Sequence, residues 1–359
     1  MRRPQQAMQS AVRAALSPNK VNPSSNAQKV LEDFLRLLPK AKPKPDQMQV
    51  SLFTRLHPDE VKSMVSDALG EEPQKTQDNS YWNYSQSGIR LSCGNTYFHH
   101  VIRFNAPSLL PVIANIVSIF PPKSNGKPAA QLFELEIRFD IPVPKLAESA
   151  RLQLLDSVAA VTVLKNPKAD IRAIGRNNSC NKTKDRALNG PRTWYFEPYA
   201  RVPCDEKRPD QNPWQPVPTA KLIGKIYLKK LHSGNWVMRF EVTIRSSSLK
   251  ARIGTLDLPE TVAELYSRIN GMTISNFWKF EIFDGISFAR EAEAIVDSRR
   301  NQMTAGQYMY SKMLLNMMLY KAHQSAMRQR FIALRLARAL NSDRLKQLIY
   351  KGKFTTRLL

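Results

Sequence analysis

Apolar and polar residues alternate with a period of two over residues 96–104, 132–143, 193–202, 221–231 and 236–245. Successive strand side chains point to opposite faces, so this spacing predicts strands with one buried and one polar face. Turn-forming text separates them. Helical spacing appears in between. After Pro144, the residues Leu146, Leu152, Leu155, Val158 and Ala159 fall near one stripe, and after Pro259 so do Val262, Leu265, Tyr266 and Ile269. Beyond residue 290 the pattern is helical, over 301–324 and 326–340, with Asn341, Ser342 and Asp343 as a cap for a last short helix.

Upstream stands one amphipathic stretch, 27–38, between Asn/Ser-rich text and the Pro- and Lys-rich residues 39–45. The latter reads as a stiff, charged linker. Three regions are expected: a basic, partly disordered leader over 1–50, an α+β domain over 51–290, and a basic helical DNA-binding region over 291–359. The fold class is α+β, a largely antiparallel sheet covered by helices. No repeat of solenoid period is present.

Charge narrows the partners. The 359 residues carry 54 Lys and Arg against 30 Asp and Glu, a formal +24, while 42% hydrophobic content suffices for a core. An excess of that size selects polyanions, DNA first. From Arg299 onward the many Lys and Arg face one acid, Asp343. Membrane is not an expected partner: the longest apolar stretch, 109–120, is broken by Pro111 and Asn115, and Met1-Arg2-Arg3-Pro4 opens no secretory signal. Cys93, Cys180 and Cys204 form no close pair, which fits a reducing cytoplasm and argues against structural zinc. Met309, Met313, Met317 and Met318 read as core packing.

Alternation assigns faces. Leu135, Ile137, Phe139 and Ile141 point inward, leaving Glu136, Arg138 and Asp140 together; Trp236, Met238, Phe240, Val242 and Ile244 point inward, leaving Arg239, Glu241, Thr243 and Arg245 together. Such acids pair with their neighbouring arginines in a ladder, or converge on a divalent cation that also meets phosphate. Over 193–201, Tyr195, Glu197, Tyr199 and Arg201 share a face. A tyrosine hydroxyl beside a phosphate and an arginine is what phosphodiester transesterification requires. His99 faces the polar side of its strand and is a candidate ligand, whereas His100 goes with Phe98, Ile102 and Phe104.

These elements, in order over residues 80–270, resemble the replication initiators of filamentous phages, the gene II/X strand-nicking family. The stretch Val237-Met238-Arg239-Phe240-Glu241, continuing to Leu249-Lys250, is similar to that family's Val-Arg-Phe-Glu strand. Ile137-Arg138-Phe139-Asp140 is similar to its Arg-Ile-Asp strand, and Tyr84-Ser85-Gln86-Ser87-Gly88 with Ala106-Pro107-Ser108 to its Tyr-Ser-Gly and Ser-Pro elements. Tyr199 lies where the family places a tyrosine shortly before a glutamate, here Glu206. Arg201 replaces the family's usual lysine, Tyr195 competes for the same role, and the His-hydrophobic-His strand of related nickases is missing.

The resemblance implies a rolling-circle initiator that nicks one strand at an origin and later rejoins it, leaving a 5′-phosphotyrosyl link and a free 3′-hydroxyl. Tyr199 or Tyr195 would be the nucleophile. Asp140, Glu241 and His99 would hold Mg²⁺ or Mn²⁺, and Arg138, Arg201, Arg239 and Arg245 would contact phosphate. Its partners would be single- and double-stranded origin DNA and the host replication machinery, in a bacterial host cytoplasm. The competing expectation is a non-catalytic nucleic-acid-binding protein, a DNA-binding regulator or genome-packaging protein.

Overall fold

The computed structural model describes residues 25–54, 56–75, 81–93, 100–105, 110–120, 126, 129–166, 170–175, 192–197, 199–201, 214–216, 221–245, 247–254, 257–258, 262–320, 326–350 and 354–357. In chain order the strands are β1 (Pro43–Leu52), β2 (Gln74–Lys75), β3 (Trp82–Tyr84), β4 (Ile89–Cys93), β5 (His100–Asn105), β6 (Ala130–Pro142), β7 (Thr162–Leu164) and β8 (Asp170–Gly175). They continue with β9 (Arg192–Glu197), β10 (Tyr199–Arg201), β11 (Trp214–Pro216), β12 (Leu222–Lys230), β13 (Trp236–Arg245), β14 (Asp257–Leu258), β15 (Trp278–Phe283) and β16 (Thr355–Arg357). The helices are α1 (Ser25–Leu37), α2 (Pro58–Leu69), α3 (Leu110–Ser118), α4 (Glu148–Val161), α5 (Ser247–Ile253), α6 (Val262–Asn270), α7 (Gly285–Ser298), α8 (Ala305–Tyr320), α9 (Ala326–Ala339) and α10 (Asp343–Tyr350).

Eleven strands form one sheet in the order β2-β3-β4-β5-β1-β6-β13-β12-β9-β8, with β14 also on β6, and every described pairing is antiparallel. The expected α+β class with a largely antiparallel sheet is therefore the observed one. Its apolar face (Met48, Val50, Leu135, Ile137, Phe139, Met238, Phe240, Val242, Ile226) packs into one core with Leu31, Phe34 and Leu35 of α1, Leu155 and Val158 of α4, and Leu265 and Ile269 of α6. Trp278 closes that core edge-to-face against Phe196 and Phe240. Its ring lies over Gly224: a Cβ there would overlap the indole, so β12 has a glycine where the tryptophan approaches.

The leader boundary at residue 50 is corrected. Helix α1 packs into the core of the folded domain, and β1 sits between β5 and β6 at the centre of its sheet. Two of the three prolines that suggested a linker fall in β1 and are accommodated because β5 reaches only as far as Gln47, opposite Asn105; Pro43 and Pro45 pair with β6 alone. A residue without an N–H fits such an edge segment. The leader's first 24 residues lie outside the described residues.

The helices from α7 onward build a second core. Phe288, Ala289, Ala292 and Val296 of α7 pack with Leu314, Leu315 and Met318 of α8, Leu336 and Ala337 of α9, and Leu345 and Ile349 of α10. Phe283 of β15 and Phe354 join this cluster, so it begins slightly before residue 291. Met318 is buried as expected for core packing, whereas Met309 and Met313 are exposed, at 68% and 47%.

Candidate nucleic-acid interface

The opposite face of the sheet carries the polar side chains at the centre of β6, β13 and β12. Strand β13 is central, and its polar residues are not on an exposed surface as alternation alone suggested. Arg239 and Glu241 are each only 2% exposed, and Thr243 is buried as well. Long side chains on both neighbouring strands close over them.

At the centre is a charge network. Register places Asp140 opposite Arg239, Arg138 opposite Glu241, and Glu136 opposite Thr243. Arg239 holds Asp140 with both ends of its fork, Nε to Oδ1 at 2.6 Å and Nη2 to Oδ2 at 2.9 Å. Lys225 of β12 lies between two acids, 2.7 Å from Glu241 and 3.1 Å from Glu136. The Tyr227 hydroxyl donates to Glu241, and the Thr243 hydroxyl donates to Glu136 at 2.9 Å. Arg138 pairs with Asp46 of β1.

Asp46 reaches this face through a β-bulge. Pro45 pairs with Ile137 and Gln47 with Glu136, leaving Asp46 as the extra residue. Bulges re-aim side chains in this way. One carboxylate oxygen from each of Asp46, Glu136 and Glu241 can therefore lie within 4.8 Å of the others, a spacing that a hard cation with oxygen ligands could bridge. This differs from the expected set. Both oxygens of Asp140 are engaged by Arg239, and His99 lies outside the described residues. Lys225 and Arg239 already stand in the triad, with Arg239 Nη1 3.7 Å from Asp46 and 3.8 Å from Glu241.

Electrostatics follow from this geometry. Burial pushes the Glu136 carboxyl above its usual range; Glu241 adds to the rise and Lys225 opposes it. Burial alone would lower the Lys225 ammonium, yet Glu241 and Glu136 outweigh it and hold the group above its ordinary value. Tyr227 is raised by burial and then by Glu241, so its phenol stays protonated.

The expected tyrosine strand is two strands. β9 ends at Glu197, and β10 pairs with β11 in a separate two-stranded sheet, Tyr199 opposite Pro216 and Arg201 opposite Trp214. Pro198, which has no N–H, stands between them. Tyr199 and Arg201 are thus not on the strand of Tyr195, and their side chains lie outside what is described. Tyr195 does belong to the large sheet. One cross-strand line runs Lys44, Arg138, Glu241, Lys225, Tyr195 and Arg172 over β1, β6, β13, β12, β9 and β8. Two strand spacings put Tyr195 about 10 Å from Glu241 between backbones.

Toward the other edge the ion pairs give way to arginines that have no carboxylate partner among the described residues. Arg245 pairs with Glu134, which also accepts from Gln49 at 2.5 Å. Beyond Gln49, Arg103 of β5 is in register with it, and Arg90 of β4 is directly opposite Arg103. Among the described residues no carboxylate pairs with either; Arg90 instead lies over the Tyr81 ring, 4.9 Å from its centroid.

Asp46, Lys225, Tyr227, Arg90 and Arg103 were not singled out from the sequence. Asp46 stood in proline-rich text. The alternation of Lys225 and Tyr227 with Gly224 and Ile226 carries the signal, but only the pairing shows which acid they meet. No protein-family model matches this chain, and no curated protein does either. The gene II/X likeness thus rests on its ordered short motifs. Among the described residues no helix is long and apolar enough to cross a membrane.

Proposed function

We propose that this protein binds DNA along the polar face of its large sheet. The observation that carries the reading is the pair Arg90 and Arg103, in register on adjacent strands and without a carboxylate partner among the described residues. Like charges placed directly opposite one another disfavour a sheet, so the pair is tolerable where a polyanion neutralises it. Side chains nearer the centre remain within reach of solvent: Arg138, Lys225 and Arg245 are 24%, 25% and 29% exposed. The net +24 supplies the long-range attraction. The test is a salt titration of binding to a DNA oligonucleotide by wild type and by Arg90→Ala/Arg103→Ala. The variant should bind more weakly, and the slope of log K against log salt should flatten by about one for each phosphate no longer neutralised. An unchanged affinity and slope would remove this face from the interface.

A second reading, strand nicking as in rolling-circle initiation, is favoured by the Asp46, Glu136 and Glu241 triad and its line to Tyr195. In this reading Asp46, Glu136 and Glu241 would hold Mg²⁺ or Mn²⁺, in competition with Lys225 and Arg239, and the ion would supply positive charge at a bound phosphate. The Tyr195 oxygen bonds to phosphorus, the bond to the 3′-oxygen breaks, and that oxygen takes up a proton. Tyr199 is the alternative nucleophile, and the resemblance brings the host replication machinery as partner. Incubation with supercoiled origin plasmid, with and without Mg²⁺, distinguishes the readings. Relaxed circles carrying covalently attached protein support nicking; unrelaxed plasmid retained by bound protein supports the non-catalytic one.

A further inference from the structure

The β1–β6 ladder carries a second bulge, and it presents an aromatic ring. Gln49 pairs with Glu134 and Val50 with Leu132, so Phe133 is the extra residue on β6. Its neighbours Leu132 and Leu135 are buried at 4% and 0%, but Phe133 is 40% exposed. Phe53, directly after β1 and tied by its N–H to the Ala129 carbonyl, is 36% exposed at the same end of the ladder. Large exposed apolar side chains are few among the described residues, and Phe133 is one of them. A bulge that turns a phenylalanine outward leaves apolar surface in water with no gain for the core.

The surroundings specify what could cover it. Glu134, next to Phe133, is already held by Arg245 and Gln49. Arg103 lies opposite Gln49, and Arg90 beyond it has no carboxylate partner among the described residues. A flat apolar ring on the same sheet face as arginines two and three strands away, which have no carboxylate partner among the described residues, matches one chemistry: an unpaired nucleotide, whose base stacks on the ring while its phosphate meets the cations. Base pairs within a duplex keep their faces occupied and offer no such partner.

We propose that Phe133 is a base-stacking platform that makes single-stranded nucleic acid the preferred ligand of this face. This rests on the sheet face being the DNA interface. The probes are a single-stranded oligothymidylate and an abasic deoxyribose-phosphate oligomer of equal length, titrated by fluorescence anisotropy against the full chain. Phe133→Ala should weaken oligothymidylate binding by about 5- to 100-fold and leave the abasic oligomer unchanged, and Phe133→Trp should retain the wild-type difference. Equal loss on both oligomers, or loss on neither, would overturn the stacking role. Thermal melting of each variant separates that result from misfolding, which 40% exposure makes a small concern. Sedimentation supplies the other check: if Phe133→Ala dissociates an oligomer, a second copy covers the ring and the proposal falls. Arg90→Ala/Arg103→Ala tests the underlying reading separately, since it should weaken both oligomers together. If that variant binds both as wild type does, the interface reading fails regardless of Phe133.

Discussion

The centre and the flank of the same polar sheet face use their cations in opposite ways. On β6, β13 and β12, each of Arg138, Arg239 and Lys225 stands against a carboxylate, and Arg239 is closed off from water. On β4 and β5, Arg90 and Arg103 stand against each other. Cations at the centre are ion-paired within the fold and tie four strands together. Those at the flank have no carboxylate partner among the described residues. On the proposed reading, substitutions in the two places should separate stability from affinity.

The largest effect is expected at the centre. Glu241→Ala leaves Lys225 and Arg239 short of a buried partner and should cost about 3–5 kcal/mol in denaturant unfolding. DNA affinity of the folded fraction should not fall. A loss below about 1 kcal/mol would mean that the network is looser than its distances imply. An intermediate effect is expected at the flank. Arg103→Ala should change stability by no more than about 0.5 kcal/mol, or raise it slightly, while lowering DNA affinity and the salt slope. Coincident loss of stability and affinity at Arg103 would erase the distinction between the regions.

The smallest effect is a pH dependence confined to the centre. Tyr227 titrates above its ordinary 10.0 in the folded chain, through burial and Glu241. A group raised on folding contributes stability that is whole below its unfolded pKa and lost as pH climbs toward the folded one. Tyr227→Phe removes a hydrogen bond and should be less stable than wild type by about 1 kcal/mol at pH 7. That gap should narrow above about pH 10. A gap that is constant to about pH 11 would detach the phenol from the network.

Much of the scaffold was legible from residue spacing. β13 spans the predicted 236–245, and the faces of β6 sort as alternation assigns them over Leu135–Ile141. Alternation reports which side a residue faces, and that is local. It does not report which strands become neighbours, so the burial of Arg239 and Glu241 was invisible until β6 and β12 flanked β13. Asp46 was hidden for a related reason. Prolines at 43 and 45 argue against a central strand, and only the early end of β5 makes that stretch an edge. Tyr195 and Tyr199 looked like one strand because the alternation runs through Pro198, while the ladder does not.

The two bulges also have a joint effect on the sheet's shape. Asp46 lengthens β1 by one residue and Phe133 lengthens β6 by one, so Pro43 with Phe139 and Leu52 with Ala130 bracket stretches of equal contour. Only the three pairs from Gln47 to Gln49 run one step out of phase, and the frame is restored on either side. A lone bulge bends its strand away from the partner, whereas opposed bulges on facing strands leave the ends level. Removing either residue would leave strands of unequal length to be reconciled by the connections around them. Removing both would shorten the two strands alike, so the ladder can lose its acid and its ring together with less distortion than it would suffer from losing one.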